Sequence, residues 1–238
     1  MGYKEAYSKF VSKNKQSEEK YSFLDSGFFR PLSIFVTIPI SKTKLTPTAI
    51  TKISIVCSFI GFFFLVFGRT MPLKLIGYLG YFLWVILDEV DGNIARYKNQ
   101  CSALGDLWDT MGGYIAMILI YFGAGIAAYF DESSLKIFES YWGLILGGAT
   151  ALFSIFPRLV MHKKKSSVGD TKAVRAVSDK QSFGLINIIG MNLVSPTGLL
   201  QLFFFVSICT HTLNLFVTMY AVINFGIMIV SLRGLLKE

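Results

Sequence analysis

The chain reads as an all-α integral membrane protein, with six transmembrane helices preceded by N-terminal amphipathic helices at the membrane interface. Three observations predict this. Hydrophobic residues make up 53% of the 238 and charged residues only 16%, with a mean hydropathy of +0.54; that balance suits a membrane bundle better than a soluble domain. Apolar stretches of about twenty residues, the length that crosses a hydrocarbon core, recur along the chain. Lys and Arg, which give a net charge of +8, collect in alternate connections.

Residues 1–45 form the interfacial segment and residues 46–238 the six-helix membrane domain. Tyr3, Tyr7, Phe10 and Val11 recur at helical spacing among lysines, so residues 3–20 read as an amphipathic surface helix. Residues 27–40 are apolar but too short to span, and Pro31 and Pro39 interrupt them; they read as a second surface helix. Residues 1–22 are polar and lysine-rich, which does not fit a signal peptide. Ala6 stands where a myristoylated Met1-Gly2 terminus favours Ser or Thr.

The first span is expected at roughly 47–68, opened by the cap signal Leu45-Thr46-Pro47-Thr48. The others are expected at roughly 72–97, 104–130, 137–161, 195–210 and 213–234. Only Thr210, His211 and Thr212 separate the last two, so these form a tight antiparallel hairpin.

Charge sets the orientation. Lys4, Lys9, Lys13, Lys15, Lys20, Arg30, Lys42 and Lys44 precede the first span. Lys163, Lys164, Lys165, Lys172, Arg175 and Lys180 follow the fourth, and Arg233 and Lys237 end the chain. The opposite connections hold only Arg69, Lys74 and Lys136. Positive loops stay inside, so both termini are expected in the cytosol. The basic residues are thereby accounted for without a nucleic-acid partner. Cys57, Cys101 and Cys209 share no metal or redox spacing and read as free thiols.

The chemistry lies at the cytosolic ends of the second and third spans. Asp88, Asp91, Gly92 and Ala95 share one helical stripe, with Arg96 at its edge. Gly105, Asp109, Gly112 and Gly113 form a similar stripe on the next helix. A carboxylate within a bilayer costs roughly 2.5–3.5 kcal/mol on insertion scales, so several converging acids call for a strong partner. A hard divalent cation is the natural one, and the small residues leave room for a ligand. Arg96 suits a phosphate. The acids are confined to one end, so no through-membrane pathway of a transporter or channel is visible.

The run Asp88-x-x-Asp91-Gly92-x-x-Ala95-Arg96, followed after eight residues by Gly105-x-x-x-Asp109, resembles the signature of the CDP-alcohol phosphotransferase (CDP-alcohol phosphatidyltransferase) family. The resemblance covers most of residues 25–235. It implies a membrane enzyme of phospholipid biosynthesis that moves a substituted phosphoryl group from a cytidine-nucleotide-linked donor to an alcohol, with release of CMP. It also implies Mg²⁺ or Mn²⁺, a lipid substrate and a homodimer. Asp88, Asp91 and Asp109 would be the metal ligands. Gly92, Ala95, Arg96, Ser102 and Gly105 would line the nucleotide diphosphate. Thr48 and Thr51 fall in a nucleotide-contacting stretch whose usual asparagine is Thr48 here.

One departure stands out. The family pattern carries a fourth aspartate four residues after the third, read as both metal ligand and general base, and this chain has Gly113 there. Three accounts remain open: another base such as Asp106 or Glu89, deprotonation by the metal or by the acceptor itself, or a catalytically impaired chain that only binds nucleotide and metal. Thr110 replaces the proline that commonly follows the third aspartate in phosphatidyltransferases, which favours a headgroup donor and a lipid acceptor over CDP-diacylglycerol and a polar alcohol.

Elsewhere, Arg158 and Lys163 are candidates for an acceptor or headgroup phosphate. Each has a plainer role, as an interfacial anchor or as a topology charge. His162 and His211 read as interfacial, the glycines of the third and fourth spans as packing residues, and Trp84, Trp108 and Trp142 as lipid-facing or belt residues.

Overall fold

A computed structural model describes residues 3–19, 21–131, 139, 141–178 and 183–236 of the chain. The expectations placed on Met1, Gly2, Lys20, Lys136, Lys180 and Lys237 fall outside the described residues. The described residues are mostly helical and include no strand.

The N-terminal segment folds as two short helices where one was expected, α1 (Tyr3–Phe10) and α2 (Lys13–Glu19), with a break at Val11 and Ser12. Ala6, Phe10 and Val11 bury against Ile34 of α3 (Arg30–Ser41). A π-helical turn, Asp25–Phe29, leads into α3. The two prolines do not interrupt this helix. Pro31 sits in the first turn, where a backbone N–H has no intrahelical partner, and Pro39 lies so near the end that little is lost. Arg30 is buried between Asp25 at 3.6 Å and Glu89 at 3.3 Å, which fastens this segment to the membrane bundle.

The bundle is built on α4 (Pro47–Phe67), α5 (Met71–Tyr97) and α6 (Ala103–Tyr129). Thr46 caps α4 by accepting from the Ala49 N–H at 3.3 Å, and Pro47 follows at the first helical position. The α4–α5 crossing is very close: a Cβ on Gly80 would stand 2.6 Å from the Gly61 Cα. Helix α4 packs along both α5 and α6, whereas α5 and α6 touch each other only slightly.

Helix α7 (Tyr141–Val168) packs on α6 through Gly125, Gly143 and Gly147; a Cβ on Gly125 would lie 2.5 Å from the Gly143 carbonyl oxygen. Gly148 meets nothing and has no such role. Helix α8 (Lys172–Ser178) follows, and α11 (Leu213–Leu236) closes the bundle against α7 and α6.

Helices α4, α6, α7 and α11 are each long and apolar enough to cross a membrane. A fifth crossing is made if α9 (Leu185–Val194) and α10 (Leu199–Cys209) count as one span bent by 45°. The helix expected at 195–210 appears as α10, set off from α9 by a break at Ser195-Pro196. The residue before a proline avoids helical backbone, and Ser195 is extended, with ψ 135°. Helix α5 has 27 residues and carries its acids in the last turns. The hairpin turn at 210–212 is as expected, with His211 at φ +54°.

The end of the bundle away from the acids has its own polar knot. The buried Lys74 ammonium and the His211 ring both reach Asp131 Oδ1 at 3.2 Å, so His211 is tied into the fold. The Arg69 guanidinium lies 3.4 Å from the centre of the Phe130 ring. Trp84, expected to face lipid, is 2% exposed and belongs to the core, because the narrow α4–α5 crossing turns that face of α5 inward.

Candidate functional site

The acidic site forms where α5 ends and α6 begins. Asn99 takes the left-handed conformation at φ +52°, and the Gln100 N–H reaches back to the Ala95 carbonyl at 2.8 Å, which stops α5 abruptly. Lys98 donates to the carbonyls of Thr43 and Leu45 at 2.7 and 2.9 Å, tying this turn to the entrance of α4. Ser102 then caps α6 by accepting from the Gly105 N–H at 3.0 Å. Helices α5 and α6 are joined by this turn and otherwise touch little, each packing chiefly on α4.

The carboxyl of Asp109, from α6, comes within hydrogen-bonding reach of Asp88 on α5. Two carboxylates cannot meet so closely unless a proton or a cation lies between them. Asp91 is 5% exposed, and its Oδ2 accepts from the Thr51 hydroxyl of α4. Asp91 also lies within electrostatic reach of Asp109. The three acids thus lie within electrostatic reach of one another. Among the described residues, though, no three His, Cys, Asp or Glu side chains stand close enough to enclose an ion as they are. The donor set is nonetheless hard oxygen, the type that Mg²⁺ and Mn²⁺ take, and the Asp88–Asp109 contact is the point at which added positive charge would be stabilising. Asp91 would join such a site by releasing Thr51.

Arg96 folds back over Gly92: its Nη1 is 3.3 Å from where a Cβ on Gly92 would stand. Its Nε donates to the Phe10 carbonyl at 2.8 Å and its Nη2 to Asn93 Oδ1 at 2.8 Å. Asn93 in turn donates to Thr37 at 3.2 Å. Arg96 is therefore pinned beneath the end of α1. Ala95 is half-buried on the same stripe, and Thr48 lies half-buried in the first turn of α4. Gly112 packs on Ile55 of α4, while a Cβ at Gly113 would meet nothing within 4 Å.

Glu89, which its helical position already sets apart from the acidic stripe, is engaged by Arg30 and is 7% exposed. Asp106 is exposed in the first turn of α6. Arg158 is half-buried and close enough to act electrostatically on Tyr114, the residue after Gly113. Lys163 is exposed and lines a groove of about 520 Å³ between α7 and the end of α11, beside Lys164. The structure does not bring Lys163 to the acids.

One residue escaped the sequence reading, which counted it only as a topology charge. Lys15 of α2 is half-buried, and its ammonium stands within electrostatic reach of Asp88, Asp91 and Asp109. Burial pushes it below the ordinary lysine range, Arg30 and then Arg96 add to this, and Glu89 and Asp88 oppose it. Its approach depends on the turn between α1 and α2, which no local spacing in the sequence signals.

Apolar helices of spanning length, with acids gathered at the end of one helix pair, define a multi-pass membrane protein. The chain matches the family model of the CDP-alcohol phosphatidyltransferases over residues 44–230 and belongs to that family. It is accordingly a transferase of the kind that moves phosphoryl groups from a CDP-alcohol to an acceptor in lipid synthesis. No curated protein matches it.

Proposed function

We propose that the chain transfers a headgroup phosphate from a CDP-activated alcohol to a lipid alcohol such as diacylglycerol, using Mg²⁺ or Mn²⁺ and releasing CMP. The observation that carries this reading is the approach of Asp109 to Asp88 where α5 meets α6, inside the matched family region. A divalent ion held by Asp88, Asp91 and Asp109 would supply charge neutralisation for the diphosphate.

The chain's own residues supply position. Thr51 holds Asp91 in place until a ligand arrives. The bare backbone at Gly92 and Gly105 admits the nucleotide, and Ser102 and Thr48 stand at the two helix entrances beside it. Arg96 stabilises the negative charge of departing CMP. The acceptor oxygen forms its bond to the headgroup phosphorus as the bond from that phosphorus to the CMP oxygen breaks. Arg158 orients a phosphate or polar head near Tyr114. Six spans, with α5 as the second crossing, cytosolic termini and a homodimer complete the proposal; the lysine distribution supports the orientation.

Incubating the purified protein separately with labelled CDP-ethanolamine plus diacylglycerol, and with CDP-diacylglycerol plus a polar alcohol, tests the donor. Acceptor-dependent CMP release from the first pair alone is expected; release from the second alone reverses the direction of transfer. Gly113 favours a second reading, a nucleotide- and metal-binding chain without turnover. It fails if either pair reacts well above background.

A further inference from the structure

We propose that the groove between the ends of α7 and α11 binds one anionic phospholipid that is not a substrate. Its phosphate meets the Lys163 ammonium, and an acyl chain lies along Leu159 and Leu236. None of the three aspartates lines this groove, so the site stands whichever donor the chain takes.

Depth comes first. Tyr141 and Trp142, both exposed aromatics, open α7 and mark one membrane interface. About twenty residues cross the hydrocarbon, which brings the helix out at about residue 162. Helix α7 runs on to Val168, so Lys163 and the turn after it stand at headgroup level. The groove of about 520 Å³ lies at this depth, between that turn and Leu235 and Leu236 at the end of α11.

Chemistry comes second. The walls are apolar and the rim is basic: Leu159, Val160, Leu235 and Leu236 against Lys163 and Lys164. Lys164 donates to the Leu235 carbonyl, which joins the two helix ends and fixes the width of the groove. The Lys163 ammonium has no hydrogen-bond or ion-pair partner among the described residues. Neither α7 nor α11 contains an Asp or Glu, and Asp170, just beyond α7, is taken by Arg175 at 2.9 Å. Arg233 adds positive charge in an adjoining groove that shares Leu236. A topology charge accounts for the sign of these side chains. It does not account for the apolar surface beside them, where Val168 is 67% and Leu236 73% exposed. A lipid phosphate with its acyl chain answers both features. A zwitterionic lipid would bring its own cation against Lys163, Lys165 and Arg233, so the anionic kind fits.

The test incubates the full chain in detergent with equal amounts of phosphatidylglycerol and phosphatidylcholine and reads the retained lipid by native mass spectrometry. One phosphatidylglycerol per chain should be kept in preference to phosphatidylcholine. Lys163→Gln should weaken its binding about 10- to 100-fold, the loss expected for one charge-assisted contact. Lys165→Gln removes the same charge from an exposed residue outside the groove, and should cost less than about fivefold. Equal retention of the two lipids by the wild type overturns the inference, and that comparison needs no variant to fold. Equal losses in the two variants also overturn it, because they mark a diffuse basic surface rather than a seat. A dimer that retains no phosphatidylglycerol overturns it as well, and gives the groove to a second copy of the chain.

Discussion

Replacing Gly113 with aspartate is expected to raise turnover about 100-fold, the lower end of the range for general-base help. The fold should accept the change. A Cβ at this position meets nothing within 4 Å, and residue 113 lies in the interior of α6. Leaving glycine returns up to roughly 0.5 kcal/mol of helix propensity, and the like charge of Asp109 one turn away costs about the same. Stability should therefore change by less than about 1 kcal/mol. The new carboxyl would share the Asp109 face of α6, beside the contact of Asp109 with Asp88. A 100-fold gain corresponds to about 2.7 kcal/mol of barrier, more than repositioning one exposed side chain would give. The assay is acceptor-dependent CMP release from CDP-ethanolamine, with Gly113→Asn as the control of equal size and no basicity. If the aspartate variant folds, binds Mn²⁺ and CDP, and turns over no faster than the asparagine variant, this position does not lack a base and the reasoning fails.

Asp91→Asn and Asp109→Asn are each expected to abolish the thermal stabilisation that Mn²⁺ with CDP gives the wild type, about 2.7 kcal/mol at a hundred times Kd; retained stabilisation in both counts against the metal assignment. Gly125→Val forces α6 and α7 apart at a 2.5 Å approach and should cost about 1–3 kcal/mol, read as a lower unfolding temperature in detergent. Lys74→Met strands the buried Asp131 carboxylate and should cost roughly 3–5 kcal/mol. The double change Lys74→Met with Asp131→Leu should recover most of it; equal loss in single and double variants would show that the pair is not what holds that end together.

Much of the fold was legible because the bilayer imposes it. Spanning requires long apolar runs, and four of the expected spans appear as helices of that kind, three of them within two residues of their expected limits and the fourth shifted to Tyr141–Val168. The errors came where local rules compete. One surface helix became two at Val11 and Ser12, because Phe10 and Val11 bury against Ile34 while the chain turns toward the acids. Pro31 and Pro39 looked like breaks yet fall at helix ends, where they cost little. Pro196 does break its apolar run, separating α9 from α10, because it falls in the middle of that run.

Spacing alone placed Asp88 and Asp91 on one helical stripe and Asp109 on another, each with small residues, since helical periodicity is a local property of the chain. Only the tertiary structure decided what stands against those acids. Thr51 arrives from α4, 40 positions away from Asp91. Arg30 removes Glu89 from the site, and Lys15 enters it from a surface helix. Charge pairing across such distances depends on how helices pack, and the packing is set by the glycine-lined α4–α5 crossing, where one added methyl group would collide with backbone.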